Sequence, residues 1–377
     1  VPTAVPAVVS AALAPAPPPP AALGLESWLV RVQGQVERAM AELLELEDEA
    51  GLDPRWSAAL EQLRAYALRP AKRLRPALVL AGWSLAHGGG RLDVVPPAGL
   101  WRFAAGLELL HTFLLVHDDV ADQAALRRGG PALHHMLAPG RAGEDLAVVL
   151  GDHLFARAVE AMLGSGLPQA ARVVRDYLAV CRQTAAGQYL DLDLGRAPLG
   201  EVTLFQTLKV AHLKTARYGF VAPLACGAHL AGGEPARTRA LVEGLERVGR
   251  HVGLAYQLRD DLLGLFGDPR LSGKPADGDF AQAKRTFPVL AAHVRASAEV
   301  REELERLWAL PPEQKDAAAL ARARALVEGA GGRAATERVI SRSSRTARRH
   351  IAALPGEDRR LHGMLDALVQ RLAGRDV

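Results

Sequence analysis

From about Leu25 to the end of the chain, apolar residues recur three and four positions apart. That helical spacing constrains the fold more than any other feature. Trp28–Leu46 and Leu241–Leu254 show it most plainly, in stretches rich in Ala, Leu, Arg and Glu. These side chains lose little rotamer freedom in a helix. No run of alternating β-branched residues bounded by turn signals competes with it, so no strand is expected. Gly and Pro gather between the helical stretches, for example at Arg69–Pro70, His87–Gly90, Arg128–Pro131, Gly195–Gly200, Gly267–Pro275 and Gly329–Gly332. The spacing therefore predicts ten or more helices on short connections, with no repeat and no linker long enough to divide two domains. The expected architecture is all-α, a single large helical bundle over residues 25–377 with a central cavity.

Residues 1–24 stand apart. VPTAVPAVVSAALAPAPPPP carries no basic residue and is studded with proline. It predicts a disordered, partly polyproline II tail rather than a signal peptide. Membrane spans are not expected: Leu100–Val116 is broken by Arg102, Glu108 and His111, and Gly219–Ala231 is short and holds Pro223. Both fall below the roughly 20 apolar residues of a span. Cys181 and Cys226 are isolated, which suits neither a disulfide framework nor zinc, and a reducing cytoplasm is the expected setting. A net charge of +4 is too small to argue for nucleic acid. Composition supplies one further test. The 46 basic residues divide into 6 Lys and 40 Arg, and Asn is absent, as a coding bias would leave them. Where Arg is the default cation, a Lys marks a place where a compact point charge is wanted.

The sharpest local feature is His117-Asp118-Asp119-Val120-Ala121-Asp122, which closes an apolar stretch. On a helix Asp118 and Asp122 share one face, and His111 lies two turns back along it. Two like charges so placed cost stability unless a cation lies between them; alone, the pattern could equally be a solvated helix end. A second pair, Asp260-Asp261, ends another apolar run after Tyr256-Gln257. Two acidic clusters on two apolar helices suggest carboxylates facing each other across a bundle. An all-oxygen donor set favours Mg²⁺, which usually shares its coordination with substrate phosphates. Cations suited to phosphate recur nearby: Lys72-Arg73-Leu74-Arg75, Arg127-Arg128, Lys214-Thr215, Gly273-Lys274-Pro275 and Lys284-Arg285-Thr286. Together these describe a site for a metal-bound diphosphate and a second anion without metal.

At this point the chain resembles the trans-isoprenyl diphosphate synthases, or polyprenyl synthetases, most nearly those that make geranylgeranyl diphosphate. The resemblance runs from about residue 28 to the end. It rests on K-R-L-R-P at 72–76, E-L-L-H at 108–111, H-D-D-x-x-D at 117–122, L-R-R-G-x-P-x-x-H at 126–134 and G-D at 151–152. It continues with G-Q-Y-L-D-L at 187–192, K-T at 214–215, Y-Q-x-x-D-D at 256–261, G-K-P at 273–275 and K-R-T at 284–286. The resemblance implies the helical bundle of isoprenoid synthases and condensation of isopentenyl diphosphate with an allylic diphosphate. It implies that Asp118, Asp122 and Asp260 bind about three Mg²⁺ ions, supported by Asp119 and Asp261. Arg127, Lys214, Thr215, Gln257 and Lys274 would hold the allylic diphosphate, the last four assisting its departure. Lys72, Arg75, His111 and Arg128 would bind isopentenyl diphosphate without metal. The family is typically a homodimer.

Departures from the pattern are informative. Pro70-Ala71 stand where the family usually has Gly-Gly, Gly264 replaces a third acidic residue of the second cluster, and Phe287 precedes the last motif's proline. In this family product length is set by side chains below the first cluster, which implicates Phe113 and its neighbour Leu114. By resemblance Phe113 is the bulky candidate, although on an ideal helix Leu114 lies directly below Asp118. Geranylgeranyl diphosphate is the expected product, with farnesyl diphosphate second. Two rivals remain. A class I terpene cyclase shares the fold, but Gly264 and Asp268 are wrong for its second motif. A non-catalytic partner subunit would tend to lose the aspartates, which are intact. Asp191-Leu192-Asp193 and Asp277-Gly278-Asp279 lack the other ligands of a calcium loop. Arg338, Arg342, Arg345 and Arg349 form a basic stripe at helical spacing, read as a solvated face or at most a peripheral contact with anionic membrane.

Overall fold

Several helix starts are written into the chain as capping residues. In the computed structural model, which describes residues 24–45, 51–88, 94–267, 278–356 and 359–374, the Asp53 carboxylate accepts from the Arg55 N–H at 2.7 Å with Pro54 at the first helical position. Thr203 and Gln206 form a reciprocal capping box, and Glu234 accepts from two N–H groups ahead of Pro235. The first half of the chain runs α1 (Leu25–Leu43), α2 (Pro54–Ala67), α3 (Leu74–Gly88), α4 (Ala98–Ala121), β1 (Leu126–Arg127), β2 (Gly130–Pro131), α5 (Leu133–Leu137), α6 (Gly140–Leu163) and α7 (Ala170–Leu194). Then come α8 (Leu204–Val210), a π-helical stretch (Ala211–Val221), α9 (Ala222–Leu230), α10 (Pro235–Phe266) and α11 (Gly278–Ala281). The chain closes with α12 (Phe287–Arg295), α13 (Ala298–Trp308), α14 (Ala317–Gly329), α15 (Gly332–Ala352) and α16 (Arg360–Ala373). The fold is all-α, as the spacing predicts. The expected N-terminal tail up to residue 23 and Lys274 lie outside the described residues.

One expectation fails. Arg128–Pro131 is not a plain loop, because β1 and β2 pair antiparallel as a minimal hairpin. Its turn residues Arg128 (φ 52°) and Gly129 (φ 74°) both take left-handed backbone, as a two-residue hairpin turn requires. A two-residue strand is too short to leave an alternating pattern, and that is why the sequence did not show it.

Helix α4 is the axis of the bundle. It packs most extensively on α6 and also on α1 and α3, and Phe103, Leu107, Leu109 and Leu110 are fully buried along it. Its length and composition would allow a membrane span, yet most of its apolar window is buried among neighbouring helices. It extends beyond the Leu100–Val116 window because the acidic cluster continues it. On the other side α10 packs against α15 and the π-helical stretch, and α7 packs on that stretch as well. Helices α3 and α9 approach closely: a Cβ at Gly227 would collide with the Val79 carbonyl, and one at Gly82 with the Leu224 carbonyl.

Candidate active site

The acidic end of α4 is neutralised by cations drawn from distant parts of the chain. Asp122 caps the helix, its N–H donating to the Asp118 carbonyl at 2.8 Å. The Lys284 ammonium donates to Asp122 Oδ2 at 2.8 Å. Lys214 Nζ lies 3.4 Å from Asp118 Oδ1 and donates to Asp191 Oδ2 on α7 at 2.9 Å. Lys214 and Thr215 sit in the π-helical stretch, an irregularity of a kind frequent at functional sites. Burial alone would raise the Asp118 carboxyl, but Lys214, Lys284 and Arg127 outweigh it and hold it below its ordinary range. Burial likewise opposes the charge on Lys214, and Asp118, Asp191 and Asp122 reverse the effect, pushing it up. The like-charge cost foreseen at Asp118 and Asp122 is thus met by lysines.

Asp119 points the other way. It is fully buried, accepting from the Tyr66 hydroxyl of α2 at 2.9 Å and from Arg127 Nε at 2.7 Å. A second Arg127 nitrogen binds the same oxygen, Oδ1. Both Asp119 oxygens are therefore occupied by protein groups, and its part is to hold Arg127 beside Asp118, 3.9 Å away.

The Thr215 hydroxyl of the π-helical stretch donates to Gln257 Oε1 on α10, and Gln257 Nε2 donates to Asp261 Oδ1 at 2.8 Å. Burial, with the nearby Asp279 carboxylate adding to it, pushes the Asp261 carboxyl up to about 8. Asp260 is half-buried one residue earlier on the same helix. Gly264 now has a reason: a Cβ there would collide with the Asp279 carboxylate of α11. Asp279 thus brings an acidic group to the place where the third side chain of the second cluster would begin. Among the described residues no three acidic, His or Cys side chains form a ready metal cage. The donor set nonetheless suits Mg²⁺. It is all oxygen, and the Asp279 and Asp191 carboxylates lie close enough to Asp261 to raise its proton affinity, a crowding that a cation relieves.

Deeper along α4 a second cluster is rich in arginine. Glu108 is buried, and its Oε1 accepts from Arg73 Nη1 at 3.1 Å and from Arg128 Nη2 at 3.2 Å. The Arg75 guanidinium lies 5.1 Å from the Tyr218 ring, with the His111 ring 6.1 Å from that same ring. Arg75 Nε, Arg128 Nη1 and His111 Nδ1 are buried without a hydrogen-bond partner among the described residues. Burial, followed by Arg75 and Arg128, pushes the His111 imidazole well below its ordinary value, so it is neutral at pH 7. Lys72 is exposed on the loop that leads into α3.

The structure therefore gathers Asp118, Asp122, Arg127 and Lys214 at the end of α4, links Thr215 to Gln257, and places Arg75, His111 and Arg128 at a second locus. Phe113 lies against His117 (centroids 4.7 Å apart) and Phe155 of α6 (5.2 Å), while Leu114 is half-buried. Sequence reasoning passed over Asp191, Tyr66, Glu108 and Asp279 as site residues, and counted Arg73 among the phosphate-suited cations although its guanidinium is engaged by protein groups. Asp191 was legible in G-Q-Y-L-D-L, and the gap at Gly264 was the signal for Asp279.

Comparison with known proteins agrees with this geometry. Residues 57–326 match the family model described as Polyprenyl synthetase. A geranylgeranyl diphosphate synthase from Mycobacterium tuberculosis is 38% identical over 285 residues, covering 75% of this chain and 75% of that protein. A (2E,6E)-farnesyl diphosphate synthase from Mycobacterium bovis is 35% identical over 218 residues, 58% of this chain and 55% of its own length. Among solved structures, a geranylgeranyl pyrophosphate synthase from Corynebacterium glutamicum, complexed with isoprenyl diphosphate and magnesium, superposes with a TM-score of 0.82. It is 28% identical and covers 94% of this chain and 100% of that one.

Proposed function

The chain belongs to the polyprenyl synthetase family of trans-prenyltransferases, and on that premise we propose that it condenses isopentenyl diphosphate with an allylic diphosphate, giving geranylgeranyl diphosphate as its main product. The observation that carries this reading is the pairing of two unlike anion loci along α4. One mixes aspartates with lysines, and the other is almost purely arginine.

Asp118, Asp122 and Asp260 would hold Mg²⁺ together with oxygens of the allylic diphosphate, and the bound ions would neutralise the leaving group. Lys214, Lys284 and Arg127 add protein cations at the same end. A unit-charge contact near 4 Å contributes about 4 kcal/mol at an effective dielectric of ~20, before desolvation offsets part of it. The allylic C–O bond breaks, and diphosphate departs with the electron pair. The isopentenyl double bond then attacks the allylic carbon, and the proton lost afterwards passes to the released diphosphate. No side-chain base is needed. The apolar wall of α4 excludes water that would quench the cation. His111, neutral and with its Nδ1 buried, can donate a hydrogen bond to the second diphosphate without adding charge.

Chain length is the finer part of the proposal. Relatives that make C15 and C20 products both resemble this chain, and Phe113 is the side chain assigned to the pocket floor. Phe113→Ala is expected to lengthen the product, and Phe155, its ring partner on α6, would be left to limit the extension. An unchanged product distribution would remove the assignment. Part of the same proposal is a homodimer formed through the outer face of α6, where Leu146 and Val149 are exposed. It also includes a cytoplasmic setting with at most peripheral membrane contact through Arg338, Arg342, Arg345 and Arg349, all exposed on α15. Purified protein supplied with isopentenyl diphosphate, each allylic starter in turn and Mg²⁺ tests the activity. Linear products of increasing length support it; cyclised hydrocarbons or no turnover would overturn it.

A further inference from the structure

Glu108 sits at the junction of the two segments that supply cations to the arginine-rich locus. One segment is the loop from Arg69 into α3, carrying Lys72 and Arg75. The other is the β1–β2 hairpin, carrying Arg128. Each sends one arginine onto the same Glu108 oxygen, Arg73 at 3.1 Å and Arg128 at 3.2 Å.

Both arginines pay a conformational cost to do so. Arg73 (φ 44°) and Arg128 (φ 52°) are two of the four non-glycine residues with left-handed backbone among the described residues. A side chain bearing Cβ enters that region only when its surroundings hold it there. Arg73 is held completely: its guanidinium is buried and also donates to Glu37 Oε1 at 3.3 Å and to the carbonyls of Ala67 and Arg69 at 3.1 and 2.9 Å. With its donors so engaged, Arg73 cannot be a substrate ligand. Arg128 differs, because only Nη2 meets Glu108 while Nη1 is buried without a partner among the described residues. Arg69 adds a brace, donating to the hairpin carbonyls of Arg127 at 3.0 Å and Pro131 at 2.6 Å. Pro70-Ala71 stand ahead of Lys72 in this chain, and Arg73 is the residue of the loop that takes left-handed backbone.

We propose that Glu108 is the positioning residue of the isopentenyl diphosphate locus: it pins the α3 loop and the hairpin to α4, so that Arg75 and the free nitrogen of Arg128 are presented together to one metal-free anion. The proposal rests on the functional reading above. It differs from a simple counter-charge role in the sign of its effect. Removing a negative charge should tighten binding of an anion if charge alone matters, and should weaken it if Glu108 sets geometry.

The test titrates isopentenyl diphosphate into the full-length protein by calorimetry without divalent metal, then measures KM for each substrate with Mg²⁺. Glu108→Asp keeps the charge but draws the carboxylate back, and several-fold weaker isopentenyl binding is expected. Glu108→Gln should weaken it roughly tenfold, the loss of hydrogen bonds to charged groups. In both variants the isopentenyl KM should rise while the allylic KM stays within about twofold. Circular dichroism confirms that each variant is folded, and the Asp variant preserves the test if Gln is not. Wild-type or tighter isopentenyl binding in a folded variant, or an equal rise in both KM values, would overturn the proposal. A wild-type protein that neither binds nor consumes isopentenyl diphosphate would instead count against the functional reading itself.

Discussion

Arg127 and Arg128 are adjacent in sequence yet serve two different levels of α4, its C-terminal end and its middle. Arg127 is held by Asp119 near the helix end, with Tyr66 on the other carboxylate oxygen. Arg128 is held by Glu108 three turns deeper, with Arg73 beside it. At 1.5 Å per residue the two acids are about 16 Å apart on nearly the same face. The local charge balance differs sharply. Near the helix end Asp118, Asp122, Asp191 and Asp279 match or exceed the lysines, whereas the deeper locus sets Glu108 against Arg73, Arg75 and Arg128. A site with surplus carboxylate accepts an anion only together with metal cations. One with surplus guanidinium accepts it directly. On the proposed function, the two charge balances would give one helix two anion-binding characters, one metal-dependent and one not.

Breaking the metal side should have the largest effect. Asp118→Asn keeps shape and removes charge, and kcat should fall by about 10²–10³-fold, the scale of losing one preorganised electrostatic contact. Steady-state turnover with saturating substrates checks it, and an unchanged kcat would remove Asp118 from the site. Next in size is Tyr66→Phe, which leaves an Asp119 oxygen buried without a donor and should cost about 1–3 kcal/mol of stability. Urea unfolding reads the loss, and because Arg127 loosens with Asp119, the allylic KM should rise more than the isopentenyl KM. A reversed order would dissolve the division between the loci. Gly264→Asp should cost a similar or smaller amount, about 1–3 kcal/mol of overpacking against Asp279. Adding Asp279→Gly should restore most of it, and a double variant no more stable than the single would show that the two positions do not meet.

The smallest effect is in pH. The folded state holds the His111 imidazole well below its usual value, chiefly by burial, then by Arg75 and Arg128. Below about pH 6.5 the unfolded chain binds a proton there that the folded chain refuses, so stability falls as pH falls. The slope from this one group reaches at most about 1.4 kcal/mol per pH unit. His111→Gln should flatten the acid limb of stability against pH by that amount. Parallel limbs for the two proteins would mean that His111 titrates normally.

How much of this was legible depended on contact range. The helices and the two aspartate clusters announce themselves locally, by spacing of three and four and by charge at the ends of apolar runs. The lysines stood out because Arg is the default cation in this chain: Lys214 and Lys284 both lie on the acidic end of α4. The partner choices were not legible. Tyr66 meets Asp119 across 53 residues, and Lys284 meets Asp122 across 162. No local pattern encodes which of several buried acids a distant side chain will reach. Glu108 was visible as a charge that interrupts an apolar window and as the first residue of E-L-L-H, with no role attached, and packing turned it into an anchor. The hairpin and the π-helical stretch were hidden for another reason, since each is a local backbone irregularity without a periodicity of its own.

The central claim is that one helix carries a metal-dependent and a metal-independent diphosphate locus. Calorimetric titration of wild-type protein with isopentenyl diphosphate and with a non-ionising allylic diphosphate analogue, each with and without Mg²⁺, tests it most directly. The account predicts that isopentenyl binding survives chelation of the metal, whereas analogue binding is lost with the ion and returns when it is restored. Equal dependence of both ligands on Mg²⁺, or of neither, would contradict it.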